Sequence, residues 1–371
     1  MDEEALTALA FGPDAGPADS IPRDGSPRQR LLAAIVLGAR GRYAAAAELL
    51  DPLRRGRNPL TASLAASTLA SHRRQLGAHM VARRLDGEAL LAIGLRGVGE
   101  RGAATAGGGP GLAGSGPGLA GGGPGLAGSG PGLAGSGLAA AGSGSRGVGS
   151  GPAGTGADSP VPGSTSATTG SPPATASPST SASQGSLVES TEDPDGLDLQ
   201  GARADAFLGL AADNLALGRI SAARRLAVRA AQADRRWRAT VRGGWVGAEI
   251  ELAAGQPEAA VAPARLAYET AVARHARRHI VKSGIVLGVA LLAAGQDGAR
   301  ELLVAAAADA EKYELDSLGW VADRVAADVD HDRAEEYRFR SRQVLHAVLR
   351  RADPCVMRIA HESPWVPIGP G

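Results

Sequence analysis

The chain has 371 residues with 39 basic and 38 acidic side chains, a net charge of +1 and a single cysteine, Cys355. One thiol excludes an internal disulfide framework and a cysteine-built zinc site. Aromatic residues make up 3% of the chain, and a composition led by Ala, Leu and Arg favours helices over a strand-built core, which needs Val, Ile, Thr and Tyr.

Residues 1–25 open acidic, where a secretory leader is basic. They carry enough Pro, Gly and Asp to read as a loose N-terminal tail. From 26 to 96 the text is helical. Leu31, Leu32, Ile35 and Val36 recur at helical spacing, and past Gly41 so do Tyr43, Ala46, Ala47, Leu50 and Leu53. Asn58-Pro59 is a turn whose proline opens the next helix.

Residues 97–197 change character. Four copies of Pro-Gly-Leu-Ala-Gly-(Ser/Gly)-Gly start at Pro110, Pro117, Pro124 and Pro131, and a Ser/Thr/Pro stretch then leads into an acidic run. Such text buries too little apolar surface to offset backbone ordering, so a disordered insertion is predicted. One Leu per seven-residue unit excludes a coiled coil, and glycine off the every-third register excludes collagen. Helical periodicity returns over 198–351, with turns at Gly218, Gly255, Gly295 and near Asp330. Residues 352–371 read as a Pro-rich, non-helical tail. The longest uncharged apolar stretch, 283–296, is too short to span a bilayer, so a cytoplasmic protein is expected.

The turn glycines have a period. Gly41 and Gly77 lie 36 residues apart, Gly218 and Gly255 37, and Gly255 and Gly295 40. The interval from Gly77 to Gly218 is 141, and taking out the 101 residues of 97–197 leaves 40. The low-complexity segment therefore interrupts a repeat array between two successive units.

A mid-thirties period with two helices per unit resembles the tetratricopeptide repeat. That family's second turn reads Gly-x-Tyr-x-x-Ala, matched by Gly41-Arg-Tyr43-Ala-Ala-Ala46 and more loosely from Gly218 and Gly255. Its small residue seven before the glycine is met by Ala34, Ala70, Ala211, Ala248 and Gly288. The chain departs from the pattern where Gly244 and Gly247 take large core positions and Pro263 falls inside a second helix, so a kink or register shift is expected there.

The resemblance implies an all-α solenoid of stacked antiparallel helix pairs, repeats 1–2 over 26–96 and repeats 3–6 over 198–351. Its concave groove, lined by the first helix of each pair, would hold a partner segment. The family's groove positions fall on Arg28, Leu31 and Ile35, then on Arg74, then on Asp205 and Leu208. Further along they fall on Arg242, Trp245 and Glu249, and last on Lys282 and Ile285. The Asn and Lys residues of the carboxylate clamp found in some members are missing, so a heat-shock-chaperone partner is not implied.

Motifs for chemistry are scarce. Gly109-x-Gly111-x-x-Gly114 matches a dinucleotide fingerprint in letters alone, because it lies within the low-complexity repeat and no strand precedes it. His275 and His279 are spaced to share one helix face, but Arg274, Arg277 and Arg278 around them disfavour a cation, and a solvated basic face is expected. No phosphate loop, nucleophile elbow or zinc-protease pattern occurs. A non-enzymatic protein with no cofactor, metal or catalytic residue is expected.

Charge is unevenly spread. Only Lys282 and Lys312 are lysine, and the arginine excess, with abundant Ala, Gly and Pro, is what a high-GC bacterial genome produces. Residues 219–282 are strongly basic and 297–336 strongly acidic. Arg235, Arg236 and Arg238, with Arg274, Arg277 and Arg278, make a candidate basic patch. The reading favoured is a scaffold that binds a protein partner through an acidic or mixed-charge segment. The alternative is nucleic acid on the basic surface from Arg235 to Arg242, disfavoured because aromatics are too few for a stacking platform and the acidic stretch repels a polyanion.

Overall fold

Gly218 and Gly255 both sit at φ +73°, a conformation that a residue without Cβ adopts at little cost. The following N–H closes on the carbonyl five residues back, Arg219 on Asn214 at 2.8 Å and Gln256 on Glu251 at 2.9 Å. That bond satisfies a terminal carbonyl and reverses the chain. It recurs from Arg42, Ala78 and Gln296. One turn geometry thus serves five of the helix pairs, in a computed structural model that describes residues 1–13, 21–94, 192–363 and 366–367.

The described residues contain helices and no strand. The first pair is α2 (Pro27–Ala39) with α3 (Tyr43–Arg54), followed by α4 (Pro59–Gln75) with α5 (His79–Ala92). Four more pairs follow: α6 (Leu199–Ala216) with α7 (Ile220–Ala233), and α8 (Trp237–Ala253) with α9 (Pro257–Ala273). Then come α10 (Arg277–Ala293) with α11 (Ala299–Lys312), and α12 (Asp316–Val329) with α13 (Ala334–Arg350). Each helix packs on the next, and α2, α4, α6, α8, α10 and α12 also pack in succession. At the last turn, which lacks glycine, a short 3-10 segment at His331–Arg333 replaces the motif.

Between α5 and α6 lie residues 95–191, outside the described residues, and the expectation made for the insertion falls there. The two helices nonetheless pack directly on each other, and α4 packs on α6. The small positions are buried as the repeat spacing requires: Ala34, Ala70, Ala211 and Ala248 have no exposed surface. At Gly288 an added Cβ would lie 2.6 Å from Leu303 Cγ, so only glycine allows this approach of α10 and α11. The expected disturbance at Pro263 does not break α9. Instead, a Cβ at Gly244 would meet the Pro263 carbonyl oxygen at 2.5 Å, so the glycine on α8 makes room for the proline's turn of α9.

Three expected boundaries change. The tail predicted over 1–25 contains α1 (Glu3–Phe11), capped by the Asp2 side chain accepting from Ala5 N–H at 2.9 Å. Its apolar side buries Leu6, Ala10 and Phe11 against α2 and α10. The tail predicted from 352 contains α14 (Pro354–Glu362), where Pro354 starts a helix. The end of the predicted insertion is also placed. Asp193 caps its own turn, Leu197 is buried, and Arg236 holds Asp198 at 2.5 Å and the Asp193 carbonyl at 2.6 Å.

Candidate functional site

The N-terminal turns of α8 and α10 and the last turns of α4 bring their polar side chains inward, because the apolar residues of the same helices are committed to their partners. Here the first helices of five pairs enclose a cavity of about 110 Å³. Eight of the eleven groove positions line it: Ile35, Arg74, Asp205, Leu208, Arg242, Trp245, Glu249 and Lys282. The other three are elsewhere. Leu31 and Ile285 are core residues, and Arg28 pairs with Glu3 at 2.7 Å and Asp193 at 2.5 Å. The positions form an enclosed polar interior more than an open trough, since Arg74, Asp205, Leu208, Trp245 and Glu249 are all buried.

One wall is an ion network. Arg74 donates to Asp213 at 2.8 and 3.0 Å and to Asp86 at 2.5 Å, and His79 Nδ1 lies 3.1 Å from Asp213. Two carboxylates share one guanidinium, and burial pushes the Asp86 carboxyl up to about 8, with Arg74 opposing and Asp213 adding to the shift. The neighbouring wall places Asp205 between Arg238 at 2.8 Å and Arg242 at 2.6 Å. Across from it Lys282 lies 4.4 Å over the Trp245 ring. Burial brings the Lys282 ammonium down to about 8, opposed by Glu249 and helped by Arg278 and Arg242.

An aromatic column backs these charges. His279 stacks on Trp245 at 5.6 Å and meets Trp237 edge-on at 5.0 Å, and Phe11 of α1 lies 6.3 Å from both Trp237 and His279. Trp245 Nε1 donates to Ser283 Oγ at 2.8 Å. Burial and the surrounding cations hold His279 well below its usual value, and burial with Arg278 and Arg73 holds His72 down at about 3. Both imidazoles are neutral, and neither Nδ1 has a hydrogen-bond partner among the described residues.

The expected basic patch is dispersed. Arg236 is taken up by Asp198 and Asp234 at 2.5 and 2.8 Å, Arg238 by Asp205, and Arg277 by Asp309 at 3.5 Å. Arg274 lies over the Trp237 ring, Arg235 is exposed, and Arg278 lines the cavity. The solvated face expected at His275 and His279 is not formed. His275 sits at φ +50° in the turn before α10, whereas His279 is inside the core. Among the described residues no group of three or more His, Cys, Asp or Glu is placed to hold a metal.

Reading the sequence missed Arg278, Arg238, His72, Gln75 and Phe11 as wall residues. A signal existed for two of them. Arg278 lies one turn before Lys282, and Arg238 one turn before Arg242, so each groove stripe extends one turn toward its helix N-terminus. No family model matches the chain, and no curated protein matches it.

Proposed function

We propose that this chain is a non-enzymatic interaction module, a tetratricopeptide-like array. It recognises a partner protein by accepting an anionic side chain of an acidic segment into the interior of its first helices. The observation that carries this reading is the convergence of five cationic side chains on one cavity that, among the described residues, two carboxylates line. A solvent-lined cavity of that sign concentrates anions and disfavours cations. The array supplies the surface on either side for the rest of the segment, as in helical repeats that bind extended peptides. Regular turns and pairwise packing support the repeat reading.

Nucleic acid draws less support, because Arg236 and Arg238 are already matched to carboxylates. A partner captured by the full chain, crosslinked and identified, tests the proposal. Its capture is expected to fail with Arg242→Gln and with Lys282→Met while both variants keep the parent helicity. Undiminished capture by both variants would remove the interior from the interaction.

A further inference from the structure

The interior cavity holds more positive charge than its own carboxylates answer. Arg74 is met from behind by Asp213, and Glu249 is the carboxylate that acts on Lys282. Asp205 pairs with both Arg238 and Arg242, and Asp86 acts on Arg242 from farther off. Arg278 has no carboxylate among the groups that act on it, and its Nε has no hydrogen-bond partner among the described residues. Arg278 is partly buried, and a guanidinium keeps its charge in any surroundings, so it presents to the cavity a positive charge that an anion can answer. Beside it stand two imidazoles, His72 and His279, each 4% exposed with an unpartnered Nδ1.

We propose that this cavity binds a tetrahedral dianion, a phosphate or phosphate monoester, between Arg242, Arg278 and Lys282, with the imidazoles of His72 and His279 as further donors. The donors reach the cavity from α4, α8 and α10, so they surround a ligand instead of forming the two-pronged fork that suits a planar carboxylate. A phosphate monoester brings close to two charges and three acceptor oxygens, matching the unanswered guanidinium of Arg278 and the half-answered pair at Asp205. Space is sufficient. One water needs on the order of 10–15 Å³ of room open to a water-sized sphere, and the cavity offers about 110 Å³.

The same chemistry has two sources, a free phosphate or a phosphorylated side chain on the partner segment, and in the second form the inference rests on the partner reading above. The test is calorimetry on the full chain at fixed ionic strength, with inorganic phosphate, an acidic phosphoserine peptide, and that peptide carrying Glu in place of phosphoserine. Saturable phosphate binding is expected, absent with chloride, and weakened about tenfold or more in Arg278→Gln and in Lys282→Met. Arg278→Gln should match or exceed the parent melting temperature, because no ion pair is lost and an uncompensated charge is removed. Phosphate binding with competition from the phosphopeptide supports the side-chain source. Phosphate binding that the phosphopeptide leaves untouched supports the free source and withdraws this cavity from partner binding. No saturable binding of phosphate or phosphopeptide, or binding undiminished in both variants, overturns the proposal. In that case tight binding of the Glu peptide would leave the partner reading standing by itself.

Discussion

Arg74 on α4 and Asp213 on α6 stand 139 positions apart in the chain and hold each other through two hydrogen bonds, of 2.8 and 3.0 Å, with side chains almost wholly buried. Their contact shows that the helices on either side of residues 95–191 pack directly on one another. It also shows why the pair matters to stability. A buried carboxylate stripped of its cation keeps its desolvation cost and loses its countercharge.

Arg74→Ala is therefore expected to destabilise by about 3–5 kcal/mol, since Asp213 and Asp86 both face it. Asp213→Asn should cost less, because Asp86 can then ionise and take its place. Urea midpoints of the two variants, taken at one pH, check the order. Equal losses would mean that Asp86 does not share the guanidinium.

Replacing residues 97–190 by a short Gly-Ser linker is expected to leave the helical circular dichroism per folded residue and a single melting transition. The α5–α6 contact does not draw on the replaced residues. Two separated transitions, or loss of helicity, would show that the two sets of helices do not fold as one unit.

The pH dependence of stability has an Asp86 window. Its folded value is raised to about 8 from 3.8, so the folded state keeps a proton that the unfolded chain releases. That contribution is complete below the unfolded value and is lost as pH rises toward 8. His72 and His279 act oppositely, since their lowered values add stability above their unfolded 6.5 that is lost on acidification. Lys282, lowered to about 8 from 10.5, adds stability as pH rises through 8 and opposes Asp86 there. Asp86 outweighs the histidines and Lys282 only near pH 7–7.5, where stability should fall by about 0.5 kcal/mol per pH unit. Denaturation midpoints should slope downward between pH 7 and 7.5 in the parent and turn upward in Asp86→Asn, where only the histidines and Lys282 remain. A parent profile that is flat there rejects the assignment.

Much of the helix layout was legible because it rests on local chemistry. Gly41, Gly77, Gly218, Gly255 and Gly295 mark turns by a property of glycine itself, and Leu–Ala periodicity marks the faces between them. What was not legible depends on tertiary partners. Nothing local in the first residues says that Leu6 and Phe11 have a surface on α2 and α10 to cover, so the segment read as tail. Asp193 read as part of a disordered run, and only Arg28 and Arg236, brought close by folding, give it a fixed place. The groove positions came from family geometry and eight of them do share a cavity, yet its enclosure depends on α1 and on the packing of α4 against α6 and α8 against α10.

Neighbouring glycines on α8 make opposite predictions. A Cβ at Gly243 meets nothing within 4 Å, whereas one at Gly244 meets the Pro263 backbone oxygen at 2.5 Å and Ala267 Cβ at 2.8 Å. Gly243→Ala should gain up to about 1 kcal/mol from helix propensity, and Gly244→Ala should lose about 1–3 kcal/mol from overpacking that backbone cannot relieve. Chemical denaturation of the two single variants decides it; a stable Gly244→Ala would mean that α8 and α9 are not in this register.

The last prediction concerns α1. A nine-residue helix is too short to persist by itself in water, so it exists by docking. Phe11 supplies much of that docking: its ring meets Trp237 edge-on at 6.3 Å, and Arg238 lies over it at 5.7 Å. Truncating a buried Phe ordinarily costs about 3–5 kcal/mol, but here the loss has a ceiling. Once the cost exceeds the docking free energy, α1 detaches and the remaining helices lose nothing more. Phe11→Ala should therefore abolish hydrogen-exchange protection at the amides of residues 6–11 while leaving the amides of α8 and α10 protected. Because Phe11 is a wall of the cavity, the same variant should let an anion in faster without removing a single cationic donor. Stopped-flow binding of phosphate would then show a raised association rate at unchanged protection of α10. Protection lost equally in α1 and α10 would instead make α1 an integral part of the array, with no separate opening.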